Sequence, residues 1–257
     1  VLAHMPARPI PQMKLYRDWL SRERGFTFAN YEAMWRWSVT DLEAFWRSIW
    51  DYHEMHSPTP WSMALGREQM PGAVWFDGAH VNYARQVLRH VAAADAAGQP
   101  AIISENELGQ VRKMSWEELR RQVASMALTL RRLGVEPGDR VAAYMPNVPE
   151  TIVAMLGTAS IGAIWTVCAP DMGTPAVVDR FKQVTPKVLI AADGVHYAGR
   201  PMDRSATLVQ LRAALPSVEA LILLETAFAA QKVHAELSMA DAVGQTGEAV
   251  DAFEPYP

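Results

Sequence analysis

Continuous apolar runs alternate with amphipathic segments from about residue 140 onward. The runs RVAAYM, AIWTVC, KVLIAA and ALILLE are each hydrophobic throughout. Helical periodicity between them predicts helices near residues 149–161, 175–183 and 203–214. Buried strands that alternate with helices are typical of a parallel sheet that helices cover on both faces, with right-handed crossovers. This part of the chain is therefore predicted to be an α/β unit.

A hairpin and a long helix precede these strands. The stretch AIISENELGQVRKMSW contains two short apolar-alternating runs around Asn106–Gly109, which predicts a β-hairpin. Ser115 and Glu118 have the spacing of a capping box, which marks the start of a helix. One apolar stripe then follows the helix as far as Gly134, and its members are Leu119, Val123, Met126, Leu130 and Leu133.

The first 100 residues differ in composition, because most of the tryptophans lie there. In WSVTDLEAFWRSIWDYHE, Thr40 is predicted to cap a helix, with Glu43 reaching back to it. Aromatic stripes at helical spacing indicate packing far more often than ligand cages. The predicted buried face of this helix consists of Leu42, Phe45, Trp46, Ile49, Trp50 and His53.

These patterns predict an α/β fold with a mostly parallel sheet flanked by helices and with a Trp-rich helical N-terminal preface. Residues 1–100 are assigned to a helical region that packs on the core. Residues 101–257 are assigned to the α/β subdomain. Both assignments follow from the change in periodicity near residue 101.

Composition excludes several functional classes. The chain has 257 residues, 50% of them hydrophobic, and a net charge of −4. It therefore has no basic surface for nucleic acid and no polybasic segment for an anionic membrane. No apolar run is long enough to span a bilayer, a single cysteine cannot form an internal disulfide, and no signal peptide is visible. We expect a cytoplasmic protein.

Ligands of parallel sheets bind beyond the carboxyl ends of the strands. The candidate loops follow Met145, Cys168, Ala192 and Glu225. They contain none of the glycine-rich phosphate loops, nucleophile elbows or zinc motifs. His53 and His56 in HEMH lack a third ligand nearby, so we expect no metal site. Arg200 in GVHYAGR follows a buried strand and suits capture of a phosphate, although solvated arginines are more common.

Cys168 ends the run AIWTVC, and three interpretations of its thiol are open: a nucleophile, a redox group or buried packing. Reactive cysteines need an accessible, electropositive setting, which this stretch lacks. The sequence therefore favours an inert thiol.

Four blocks in this order resemble the N-terminal part of acyl-CoA synthetases in the adenylate-forming superfamily. They are WSVTDLEAFWRSIWDYHE, MPGAVWFDGAHVNYARQVL, the stretch from MSWEELRRQ to VCAPDMG, and VVDRFKQVTPKVLIAADGVHYAGR. The resemblance covers the chain from about Met13 to Pro257. It is strongest to the acetoacetyl-CoA synthetases, with the acetyl-CoA synthetases next.

The resemblance implies part of the large N-terminal domain of an enzyme that uses ATP and Mg²⁺ to turn a carboxylate into an acyl-adenylate. The acyl group then passes to the thiol of coenzyme A. The family's Ser/Thr/Gly-rich phosphate loop and its adenylating lysine have no match in this sequence. The resemblance therefore implies no catalytic residue here, no tightly bound cofactor, and an inactive fragment that needs the C-terminal part of the same enzyme. Acetoacetate, ATP and CoA are the implied substrates.

The resemblance also implies a contact with CoA. Arg200 matches the second of two arginines that contact the 3′-phosphate of CoA in acetyl-CoA synthetases. The first has no clean match, since His196 and Tyr197 occupy its neighbourhood with one extra residue. The adenine side is implied for Trp165, Thr166 and Val167. Cys168 has no implied chemical role, because acyl transfer uses the thiol of CoA.

Two alternatives to an acetoacetate ligase are open. One is a fragment of an acetyl-CoA or other short-chain acyl-CoA synthetase. The other is a non-catalytic module that binds CoA, a nucleotide or another protein.

Overall fold

The computed structural model describes residues 11–244. The chain forms two compact units, of which the first ends at Val81 and the second begins at Asn82.

The first unit is built from helices and one short antiparallel strand pair. Its core contains the buried side chains of Tyr16, Leu20 and Met34, surrounded by aromatic rings such as Phe45. The preface is therefore helical and its aromatic residues pack on one another, as predicted. Its elements are α1 (Gln12–Arg24), α2 (Tyr31–Thr40), α3 (Leu42–Tyr52), β1 (Leu65–Arg67) and β2 (Val74–Trp75).

The predicted start of α3 was wrong by one residue. Asp41 caps the helix, because its carboxylate accepts a hydrogen bond from Ala44 N at 3.0 Å. Thr40 instead ends α2, where its hydroxyl donates to the Arg36 carbonyl. The carboxylate of Glu43 accepts hydrogen bonds from Ala64 N and Leu65 N rather than reaching back to the cap.

The predicted buried face of α3 is only partly correct. Phe45 and Ile49 pack against the core of the first unit, but Trp46 is 38% exposed and His53 lies at the surface. The fully buried residue of this helix is Ser48, whose hydroxyl is 2.6 Å from that of Tyr16. A hydrogen bond between two hydroxyl groups therefore links α1 and α3.

The second unit carries the large sheet. Its elements are α4 (Tyr83–Leu88), α5 (Val91–Ala96), β3 (Pro100–Glu105), β4 (Val111–Ser115), α6 (Trp116–Arg132), β5 (Arg140–Tyr144), α7 (Pro149–Ser160), β6 (Ile164–Cys168), α8 (Thr174–Val184), β7 (Val188–Ala192), β8 (Gly194–Tyr197), β9 (Arg200–Asp203), α9 (Ser205–Ala214), β10 (Ala220–Leu224), β11 (Leu237–Ser238) and α10 (Met239–Val243).

Five parallel strands form the sheet in the order β11-β10-β7-β5-β6. All four long strands and the three helices between them match the predicted elements. Alternate residues of β7 face two different cores, so that Leu189 packs with Phe181 of α8 while Ile190 packs with Met126 of α6. The α/β prediction with both faces covered is therefore confirmed.

The hairpin and the long helix are also confirmed. β3 and β4 pair antiparallel around a loop that Asn106 organises, since its side-chain oxygen accepts hydrogen bonds from Leu108 N and Gln110 N. Ser115 caps α6 by accepting a hydrogen bond from Glu118 N at 3.0 Å. The carboxylate of Glu118 accepts a hydrogen bond from Gln122 one turn further along.

Helices α6 and α7 approach closely at a buried glycine, Gly157. A Cβ atom added there would lie 2.7 Å from Cγ and 2.9 Å from Cβ of Met126. Because a Cβ atom is fixed to the backbone, the helices would have to separate to admit a methyl group.

None of the helices within residues 11–244 combines the length and the apolar character that crossing a bilayer requires.

We predict that Gly157→Ala lowers the free energy of unfolding by about 1–2 kcal/mol, because overpacking outweighs the gain in helix propensity. Urea unfolding of the two proteins measures the difference. Gly66→Ala is the control, because an added Cβ there would meet its nearest atom at an ordinary van der Waals distance of 3.6 Å. A Gly157→Ala protein as stable as the parent would show that α6 and α7 are not in close contact at this point.

Candidate functional site

The segment GVHYAGR forms a hairpin beyond the carboxyl end of β7, where the sequence predicted a loop. Tyr197 pairs with Arg200, and the two residues between them, Ala198 and Gly199, have φ of 52° and 75°. Positive φ at both central residues defines a type I′ turn, which matches the twist of two-residue hairpins. Tyr197 and Arg200 are exposed at the tip.

The carboxylate of Glu107 clasps this turn from the β3–β4 loop. Its Oε1 accepts a hydrogen bond from Ala198 N at 2.9 Å, and its Oε2 accepts one from Gly199 N at 2.9 Å. Oε2 also lies 3.0 Å from Nδ1 of His196. Successive N–H groups of a turn form a concave anion site, and here a carboxylate of the same chain fills it.

These contacts stabilise the charged form of Glu107. The backbone N–H of Gly199 contributes most, followed by that of Ala198, and together they hold the pKa of Glu107 below its ordinary value. The Glu107 carboxylate is therefore ionised at neutral pH.

Asp193 joins the base of the hairpin to the end of β10. It is 5% exposed, and its Oδ1 accepts hydrogen bonds from both N and Oγ1 of Thr226 at 2.8 Å. Gly194, the next residue, has no room for a side chain, because an added Cβ would lie 2.7 Å from Cβ of Phe228. The two strand ends are thus fixed against each other.

The loop that follows β6 is tied to the same region through one carbonyl group. The oxygen of Pro170 accepts hydrogen bonds from the Tyr144 hydroxyl at 2.7 Å and from Arg204 Nε at 2.6 Å. Arg204 follows β9 directly, and its backbone N–H donates a hydrogen bond to the Asp193 carbonyl at 2.8 Å. The hairpin and the β6 loop are therefore anchored on shared residues at the carboxyl edge of the sheet.

The six residues predicted to contact CoA fall into two groups. Arg200, His196 and Tyr197 lie together on the β8–β9 hairpin. His196 is the most enclosed of the three, because it faces Glu107 and its ring lies 6.1 Å from that of Phe228.

The second group, residues 165–167, lies in the middle of β6, at the edge of the sheet. Trp165 packs against the core, Thr166 is half-buried and Val167 is 46% exposed. The part of this strand that is tied to the hairpin region is the following loop rather than these three residues.

Cys168 is buried at the end of β6, with 3% of its surface exposed. It packs in the core between the sheet and helices α8 and α9, beside Val177 and Phe181. Burial raises the pKa of the thiol and outweighs the opposite effect of Arg180. The interpretation of Cys168 as an inert packing residue is supported, because little thiolate forms at neutral pH.

The sequence missed Glu107, Tyr144 and Arg204. Glu107 stands in a polar loop far from the hairpin in sequence, so its neighbours give no signal of the contact. Tyr144 was part of a predicted strand, and only its hydroxyl, which needs a partner when buried, hinted at a further role.

The structure does not bring the remaining candidate residues together into one site. His53 and His56 are both exposed near the end of α3. Residues 11–244 contain no group of three or more His, Cys, Asp or Glu side chains that could hold a metal ion. A cavity of about 190 Å³ lies beyond β10, and Glu225, Lys232 and His234 are among its lining residues.

The parallel sheet with helices on both faces places the chain in the class of open α/β proteins, in which the carboxyl edge of the sheet is the general location of ligands. Most of the chain, residues 88–253, matches the family of AMP-binding enzymes, and the chain belongs to that family. Residues 31–87 match the acetyl-coenzyme A synthetase N-terminus.

Two named relatives are similar to this chain over most of its length. The chain is 35% identical to an acetoacetyl-coenzyme A synthetase of Rhizobium meliloti, over 95% of this chain and 37% of that protein. It is 33% identical to a malonamoyl-CoA synthetase of Penicillium aethiopicum, over 86% of this chain and 31% of that protein.

A solved structure is similar over the same extent. It is the acetoacetyl-CoA synthetase from Streptomyces lividans, with a TM-score of 0.87 and 38% identity over 96% of this chain and 38% of that one. The chain thus spans about a third of the length of the relatives it matches.

We predict that Cys168 reacts with a thiol reagent at least about tenfold more slowly in the native protein than in denaturant, because its thiol is buried and protonated. Absorbance of the released chromophore measures both rates. Cys168→Ala should cost on the order of 1 kcal/mol of stability, since it leaves a small void. Equal rates in the native and the denatured protein would contradict the burial of this side chain.

Proposed function

We propose that this chain is the N-terminal part of an ATP-dependent acid–thiol ligase that acts on acetoacetate. The observation that carries the proposal is the unbroken similarity, over 96% of the chain at a TM-score of 0.87, to an acetoacetyl-CoA synthetase. The proposed reaction has two stages: the carboxylate attacks ATP to give an acyl-adenylate and pyrophosphate, and the thiol of CoA then displaces AMP.

Both stages depend on positioning and on neutralising phosphate charge more than on a nucleophile of the protein. Mg²⁺ and ATP belong to the proposal as cofactor and substrate. The family's phosphate loop, which binds ATP, and its adenylating lysine have no match among the 257 residues. We therefore assign to this chain no catalytic residue and propose that alone it does not form the adenylate.

The part proposed for this chain is binding of CoA at the β8–β9 hairpin. Within residues 11–244, the guanidinium of Arg200 has no ion-pair or hydrogen-bond partner. An exposed guanidinium beyond a strand end is suited to the 3′-phosphate of CoA, because it donates paired, charge-assisted hydrogen bonds. Tyr197 lies opposite it on the hairpin and offers a ring and a hydroxyl to the same ligand.

His196 fits the proposal less directly, because its Nδ1 is engaged with Glu107. We propose that it helps to hold the turn and contacts CoA only with the rest of its ring. Trp165, Thr166 and Val167 stay a prediction for the adenine side. The β6 loop, which Arg204 ties to the hairpin region, lies closer to the carboxyl edge at which ligands bind.

Two other acids are candidates. The similarity to a malonamoyl-CoA synthetase favours malonamate, which shares with acetoacetate a carbonyl group at the β position and differs by an amino in place of a methyl group. The match of residues 31–87 to the acetyl-coenzyme A synthetase N-terminus favours acetate. A difference of one small group between two substrates changes the binding free energy by only about 1–3 kcal/mol in an apolar pocket. The rates with the three acids must therefore be compared directly.

The proposed setting is the cytoplasm, with small molecules as partners. A net charge of −4 and a pI near 6.0 do not favour nucleic acid as a partner. The remaining partner in the proposal is the C-terminal part of the same enzyme. A non-catalytic binding module is the alternative that the first experiment addresses.

We predict that the full-length enzyme exchanges labelled pyrophosphate into ATP in the presence of acetoacetate and does so faster than with malonamate or acetate. Exchange requires the phosphate loop and the lysine that this chain does not contain, so the 257-residue chain should give the blank rate. Exchange by the chain alone would sink the assignment of adenylation to the rest of the enzyme. No exchange by the full-length enzyme with any of the acids would favour the non-catalytic module.

We predict that Arg200→Ala in the full-length enzyme raises the KM for CoA about tenfold and leaves pyrophosphate exchange unchanged, because a lost charge-assisted hydrogen bond costs about 1.5 kcal/mol at an exposed site. Dephospho-CoA, which lacks the 3′-phosphate, is the control ligand. The wild type should bind it more weakly than CoA, whereas the variant should hardly distinguish the two. An undiminished preference of the variant for CoA would show that Arg200 is a solvated surface arginine.

A further inference from the structure

The turn between β8 and β9 has an unfavourable residue at its first central position. A type I′ turn requires positive φ there, which asparagine, aspartate and glycine adopt readily. Ala198 occupies that position with φ of 52°. A Cβ-bearing residue in this region is strained and persists only where its surroundings hold it.

The contact that holds this turn comes from outside the hairpin. Glu107 belongs to the β3–β4 loop, and it binds the N–H groups of both central residues, Ala198 and Gly199. The loop itself is ordered by Asn106, so the carboxylate is presented from a fixed base. One side chain therefore compensates the strain of the turn and also orients His196.

We propose that Glu107 is a positioning residue for CoA binding, which acts through the β8–β9 turn and keeps Tyr197 and Arg200 at the spacing that the 3′-phosphate requires. The inference rests on the proposed function. Glu107 does not bind CoA itself, because its negative charge would repel a phosphate.

A different result is expected if Glu107 occupies a site that a phosphate of CoA would take. If the carboxylate were a stand-in for a phosphate that displaces it from the two N–H groups, removal of Glu107 would open the site and tighten CoA binding. The proposal requires weaker binding instead, because a turn that is no longer held spends less time in the competent conformation.

The experiment uses the full-length enzyme and four variants. Glu107→Ala removes the clasp, and Glu105→Ala removes a neighbouring exposed carboxylate of β3 as the matched control. Ala198→Asn gives the turn the Asn-Gly sequence that forms type I′ turns unaided. The double variant Glu107→Ala/Ala198→Asn tests whether the turn, rather than the charge, is what Glu107 supplies.

We expect Glu107→Ala to raise the KM for CoA about three- to tenfold and to leave acetoacetate-dependent pyrophosphate exchange unchanged. Glu105→Ala should behave like the wild type. The double variant should recover most of the loss, since its turn is favoured without the carboxylate. A merely structural role would lower exchange and CoA use together.

Two results would overturn the proposal. The first is a KM for CoA that Glu107→Ala leaves unchanged or lowers, and the second is a double variant that recovers nothing. The wild type shows whether the proposed function itself fails. If its KM values for CoA and dephospho-CoA were equal, there would be no 3′-phosphate site, and the inference about Glu107 would fail with it. Hydrogen exchange at the Ala198 and Gly199 amides of the 257-residue chain then still reports whether Glu107 holds the turn.

Discussion

The burial of β7 on both faces is the constraint on which the second unit depends. All five of its residues are buried, and it is hydrogen-bonded to β5 on one side and to β10 on the other. A strand with no solvated face needs a helical layer above and below it, which α6 and α7 supply on one face and α8 and α9 on the other. Because all five strands of this sheet are parallel, their carboxyl ends lie at one edge, where the candidate site is found.

How much the sequence could predict differs between the elements. Continuous apolar runs such as that of β7, separated by helical segments, favour a parallel sheet, and the four long strands and the three helices between them were therefore predicted correctly. The β8–β9 hairpin was not, because the sequence was interpreted as a loop there. The start of α3 was not, because Thr40 and Asp41 are both good caps and only the end of α2 decides between them. The burial of Trp46 on α3 was overestimated, because a small unit covers only part of the apolar face of a helix.

Arg200 stays a prediction that the sequence makes because this residue follows a buried strand. The turn before it could not be predicted, since alanine does not favour positive φ. Glu107 and Arg204 act through contacts between segments distant in sequence, and such contacts leave no local pattern. The shared acceptor at Pro170 shows the same point, because a backbone carbonyl carries no sequence signature at all.

The order of the strands also has a consequence for how the chain folds during synthesis. β5 and β6 leave the ribosome first and can pair, but the inner edge of β5 stays open until β7 follows, and β7 in turn waits for β10. At about 5–20 residues per second, the stretch between β5 and β7 takes several seconds to appear. Open strand edges are templates for pairing with other chains. The inner edges of β5 and β7 are therefore open to such pairing only in the nascent chain, before β7 and β10 cover them.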